Sequence, residues 1–177
     1  DECLEYLKKL NKKTFLTIEL GLQTIHEKTS KLINRCHDLT CFENMVKKLQ
    51  ENHIFTVVHI INGLPYETKE MMIETVKYLN SLNIDGIKIH MLSILKNTPL
   101  EKLYKIKPFE ILTEEQYIDI VTTQLEYLNP KIVIQRLTTD PVKNDLIAPL
   151  WTVKKIDILN SIDKKMAKEN IYQGDKL

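Results

Sequence analysis

Four polar side chains interrupt stretches that otherwise read as buried strands: Glu19, His59, His90 and Arg136, each near the carboxyl end of its apolar run. Burying a charge is costly unless it is paired or liganded. Any one of them alone reads as a satisfied core or rim residue, whereas four at equivalent places point to a shared pocket. Two chemistries are then open. Glu19, His59 and His90 are the donor set of a two-histidine, one-carboxylate metal site suited to iron or zinc, although no HxH or HxxE spacing accompanies them. The other reading is a pocket that hydrogen-bonds a polar organic ligand through Glu19, Gln23, Arg35, Asn62 and the Gly63 backbone. A third class, a non-catalytic α/β binding module, needs neither.

The element that must position them is Ile54 to Thr68, IFTVVHIINGLPYET, which reads as strand, tight turn and helix start. Its apolar, β-branched run predicts a parallel strand covered on both faces. Gly63 and Pro65 then cut the run, and ligands collect at that end of parallel strands, which also draws attention to Glu67. Further strands are expected from about Phe15, Ile87 and Lys131, with helices between them. Thr40 to Glu43 and Thr113 to Gln116 have capping-box spacing, the second opening a long helix that ends near Leu128. A last amphipathic helix is expected from about Thr152 to Lys168, and Trp151 either closes the pocket or docks that tail. Alternation at this period means βα units forming a parallel sheet, either open or part of a barrel.

The chain has 177 residues, enough for one domain with a real core and short for a complete eight-stranded barrel. Its 25 lysines and arginines nearly balance 24 acidic residues, so binding to nucleic acid or membrane by bulk charge is not expected. With no run of about 18 apolar residues and no charged-then-apolar leader, the sequence reads as cytoplasmic. Three cysteines, Cys3, Cys36 and Cys41, without a CxxC pair suit reduced structural thiols. The opening at Asp1, inside a helical pattern, reads as a fragment.

Three ordered stretches carry a resemblance: ELGLQT at 19 to 24 followed by Arg35, HIINGLPYET at 59 to 68, and GIKIHMLSILKNTPL at 86 to 100. They resemble the fourth to sixth strands of the partial TIM-type barrel of radical SAM enzymes, in the branch of oxygen-independent coproporphyrinogen dehydrogenase and the elongator catalytic subunit. The tail TTDPVKNDLIAPLW at 138 to 151 is similar to a bacterial group of radical SAM proteins usually called Fe-S oxidoreductases. The resemblance implies a single domain over 1 to 177, with the carboxyl-terminal part of the core to about 130 and an extension beyond. It also implies that Gln23 and Arg35 touch the ribose and methionyl parts of S-adenosylmethionine. His59 stands at a ribose-contacting position where the coproporphyrinogen branch has aspartate. Ile61 to Gly63 would pass the adenine, and the backbone from Met91 and Leu92 to Leu95 would contact it. The signature CxxxCxxC is not in this sequence, so the resemblance implies that a [4Fe-4S] cluster belongs to the full-length parent, with the motif upstream. That parent would cleave S-adenosylmethionine reductively and start radical chemistry on an unknown substrate. This chain alone is expected to be inactive and, lacking a strand before Phe15, to self-associate.

Overall fold

A computed structural model describes residues 2–177. A first helix, α1 (Glu2–Asn11), leads into β1 (Thr17–Gln23), followed by α2 (Glu27–Leu32) and α3 (Leu39–Glu51). Then come β2 (Phe55–Asn62), α4 (Lys69–Leu79), β3 (Gly86–Met91), the short β4 (Ile94–Leu95), α5 (Pro99–Ile106) and α6 (Glu114–Tyr127). The chain closes with β5 (Val133–Arg136), β6 (Leu146–Ala148) and α7 (Lys155–Glu169). Strands β1, β2, β3 and β5 form one open parallel sheet in that order, so the expected α/β alternation and parallel sheet are present. β4 and β6 pair antiparallel as a separate two-stranded piece that the sequence reading did not anticipate.

Because strand side chains alternate, each strand sends one set to a helix layer and the other to the opposite face. Leu22, Val58, Ile60, Ile87, Ile89 and Met91 pack with Phe42 and Val46 of α3, Val76 and Leu79 of α4, Tyr117, Val121 and Leu125 of α6, and Ile158 and Ile162 of α7. These helical residues recur at three- and four-residue intervals, the stripe that lets a helix bury one side only. The expectation of strands covered on both faces is corrected here. Helices cover one face of the sheet; on the other, β1, β2 and β3 present Glu19, His59, Lys88 and His90, none of them buried. The apolar run of β2 misled because Val57, itself buried, and Ile61 share that second face, Ile61 being covered at the rim by Leu64, Leu92 and, from the short helix α5, Leu100 and Leu103.

Helix starts follow local chemistry, with one correction. Thr113 and Gln116 form the expected reciprocal capping box of α6. At α3 the cap is Asp38, whose carboxylate accepts the Cys41 N–H at 2.7 Å, so Thr40 already lies inside the helix. A carboxylate at this position also meets the positive end of the helix dipole, which a threonine two residues on cannot do. The tail helix starts at Lys155, three residues later than expected, because Leu150–Val153 forms a 3-10 turn.

Candidate functional site

The residues singled out in the sequence divide into three places. The first is a cleft of about 650 Å³ at the carboxyl rim of β1 and β2, lined by Gln23, Arg35, Ile61, Leu64, Leu92 and Leu100 among others. Gln23 sits at φ 64° and follows a break in the pairing register between Gly21 and Gln23. Its amide folds back over the strand, and a Cβ at Gly21 would lie 2.6 Å from Gln23 Nε2. Among the described residues that amide has no partner, so it is free to meet a ligand. Arg35 is different. Its side chain is 3 % exposed and donates to the carbonyls of Leu22 (2.9 Å), Thr24 (2.7 Å) and His37 (2.9 Å), with Glu27 Oε1 at 3.3 Å. It shapes the cleft wall by tying down the loop after β1.

The second place is a polar band on the same face, about two residues, or ~7 Å, below the rim. Glu19 Oε2 lies 2.7 Å from His59 Nε2, and the other carboxylate oxygen takes a hydrogen bond from Lys88 across β2. Lys88, then His59, hold the Glu19 carboxyl below its usual range. The rings of His59 and His90 stack, with centroids 5.0 Å apart and planes 24° apart. Burial, with His59, Arg136 and Lys88 nearby, pushes His90 down to about 4, so its imidazole is neutral at neutral pH. Its Nε2 is buried without a partner, while Nδ1 lies 3.4 Å from Thr139 Oγ1. Arg136 is brought to this face by its register with Lys88.

The metal reading of Glu19, His59 and His90 is corrected by this geometry. His59 Nε2 is engaged with Glu19, Lys88 takes the second carboxylate oxygen, and His90 lies flat against His59 instead of aiming a nitrogen at a common centre. Among the described residues no three His, Cys, Asp or Glu side chains could hold a metal ion.

The third place faces the helices, and the side chains found there serve the fold. Asn62 is buried and exchanges amide hydrogen bonds with Gln124 at 2.7 and 2.9 Å, so its side chain turns away from the cleft. The Gly63 N–H points at Met72 Sδ, 3.1 Å away, and its φ of 83° with Leu112 Cδ1 only 3.1 Å from a Cβ position explains the glycine. Met91 packs into the helix-side core, and its N–H is taken by Thr139 Oγ1 at 3.2 Å; the Leu92 N–H goes to the Asn62 carbonyl at 2.9 Å. Those backbone donors are therefore occupied, and the free polar atom in this stretch is the buried Ser93 Oγ. Trp151 donates to the Leu112 carbonyl at 2.9 Å and packs on Tyr117, which is the docking role. Glu67, whose carboxyl burial pushes up, accepts from Thr24 Oγ1 at 2.6 Å and joins the two rim loops.

Lys88 and Ser93 were missed by the sequence reading. The alternation GIKIHM, which places Lys88 and His90 on one face, could have found the lysine. A second cleft, of about 590 Å³, opens on the helix side by Tyr66, Lys69, Glu110 and Asp119. Its charged residues are largely committed, since Asp119 pairs with Lys69 and Lys165.

Residues 1–79 match the family model of the radical SAM superfamily, and residues 84–168 match that of the Radical_SAM C-terminal domain. YtqA of Bacillus subtilis strain 168 is 43 % identical over 174 residues, covering 98 % of this chain and 54 % of that protein. MJ0486 of Methanocaldococcus jannaschii is 36 % identical over 158 residues, covering 89 % of this chain and 49 % of that one. The chain thus spans about half the length of the curated relatives it matches. Among solved structures, archaeal Elp3 of Methanocaldococcus infernus with an N-terminal deletion superposes with a TM-score of 0.81 at 22 % identity. That alignment covers 96 % of this chain and 40 % of Elp3, and it carries the fold.

Proposed function

The chain belongs to the radical SAM superfamily, and from that premise we propose that it supplies the S-adenosylmethionine-binding half of an enzyme that starts radical chemistry on a separate substrate. The observation that carries this reading is the rim cleft, apolar along Ile61, Leu64, Leu92, Leu100 and Leu103 and equipped, among the described residues, with the unpartnered side-chain amides of Gln23 and Asn34. A flat base and a ribose need this kind of wall, mostly apolar with a few fixed polar groups. Arg35 acts as a positioning residue here, because its fork is already spent on the loop carbonyls. The Glu19, His59 and Lys88 band lies beneath the cleft, where it would meet the polar part of a ligand that reaches inward.

A [4Fe-4S] cluster, when bound in the full-length parent, supplies the electron that cleaves S-adenosylmethionine. Cys3, Cys36 and Cys41 are exposed and free, and they do not converge, so this chain's own thiols do not fit the cluster. We place its ligands in another part of the parent. Expression of the parent, with iron and sulfide reconstituted anaerobically, tests this. Cys36→Ala and Cys41→Ala are expected to keep the bound iron, whereas loss of iron from either folded variant would sink the assignment.

A further inference from the structure

On the inner face of β5, at the far edge of the sheet from β1, Arg136 stands level with Lys88. The residue is partly buried, and among the described residues its guanidinium has no hydrogen-bond or ion-pair partner. Charged groups in that position are normally paired. The carboxylates nearby are committed elsewhere: Glu19 to Lys88 and His59, and Asp140 to Lys155 at 2.9 Å. Beside it His90 carries the buried Nε2 that no group meets. Two unmet polar groups, one of them a cation with five donors in a fixed fork, share one corner of the face.

We propose that Arg136 receives an oxyanion, a carboxylate or phosphate, at one end of the substrate. A guanidinium fork takes such a group through two parallel hydrogen bonds. Lys88, neutralised by Glu19, adds little net charge, so Arg136 is the local excess of positive charge. Three strand spacings separate β1 from β5, roughly 14 Å, so the oxyanion would lie across the sheet from the Gln23 cleft rather than inside it. Thr139 supports the arrangement. Its hydroxyl proton has two possible acceptors, the Met91 carbonyl at 3.3 Å and His90 Nδ1 at 3.4 Å. An anion beside His90 favours the state in which Nδ1 accepts and Nε2 carries the hydrogen. The inference rests on the reading above only for calling the ligand a substrate.

The test is a titration of the 177-residue chain with inorganic phosphate and, separately, with succinate, following the imidazole resonances of all five histidines by NMR. We expect a saturable shift at His90 and His59, with His37 and His53 unmoved, and a rise in the His90 titration midpoint as the anion offsets the nearby cations. Arg136→Gln should weaken the binding about tenfold, the loss of roughly one charge-assisted contact. Arg136→Lys, which keeps the charge and loses the fork, should fall between. Trp151 fluorescence reports folding of both variants. Phosphate alone moving His90 identifies a phosphate end, and succinate alone a carboxylate end. No saturable shift in the unaltered chain, or an unchanged one in folded Arg136→Gln, overturns the proposal. S-adenosylmethionine titrated in parallel should bind Arg136→Gln and the parent chain equally; its failure to bind would remove the cofactor reading and leave this one standing.

Discussion

At the scale of single residues, the same side-chain type does different work depending on what its neighbours leave free. Gln23 and Arg35 were equal candidates in the sequence, yet one amide is unpartnered and the other side chain is buried under three carbonyls. Types and spacing cannot show this, because it depends on where the loop after β1 folds back. Gly21→Ala, which pushes only against the flexible end of Gln23, should reduce ligand binding with little loss of stability. Arg35→Ala should instead cost about 3 kcal/mol of stability by stranding its acceptors, as urea unfolding would show. Equal effects of both variants on stability would mean that Gln23 also holds the loop.

His90 offers a second test at this scale. Its folded-state value, near 4, lies below the free imidazole's 6.5, so between those values the unfolded chain binds a proton that the folded chain does not. Stability therefore falls as the pH drops through that window. Because the ring is only partly removed from solvent, the loss should be about 1 to 2 kcal/mol rather than the full shift. His90→Gln should flatten the pH dependence of chemical denaturation between pH 6.5 and 4, and an unchanged slope would assign the acid sensitivity to other groups.

At the scale of elements, the four parallel strands and the long helices were legible because burial imposes a period on them. The boundaries of β2 fall within one residue of the expected run, and the α6 box is where its residues put it. What failed to show has a physical reason in each case. β4 and β6 are two and three residues long, too short to carry a period, and they meet from about fifty residues apart. The Asp38 cap was hidden by a competing threonine whose spacing to Glu43 looked equally good. Asn62 and Gly63 were read as ligand groups because they follow the strand; in fact the turn sends them towards α4 and α6, where Gln124 and Met72 use them.

At the scale of the whole molecule, a parallel sheet covered by helices on one face leaves a polar face and an edge. Among the described residues β1 pairs only with β2, so its outer N–H and C=O groups have no strand beside them. Phe15, 77 % exposed, stands next to that edge against Phe55. Open edges with apolar neighbours template pairing with a second chain. The 177-residue chain should therefore self-associate in light scattering at micromolar concentration, and Thr17→Lys should shift it towards monomer. A monomer with slow amide exchange along 17 to 23 would show that the edge is protected by other means.

The central claim is that the rim cleft holds the adenosyl part of S-adenosylmethionine. Its most direct measurement is a titration of the isotope-labelled chain with S-adenosylmethionine, read residue by residue in the amide and side-chain NMR spectrum. The account predicts saturable shifts centred on the Gln23 side-chain amide, Ile61, Leu64 and Leu92, weakened by Gln23→Ala. Shifts centred instead on Lys69, Gln116 and Asp119, in the cleft on the helix side, or no saturable shift at all, would contradict it.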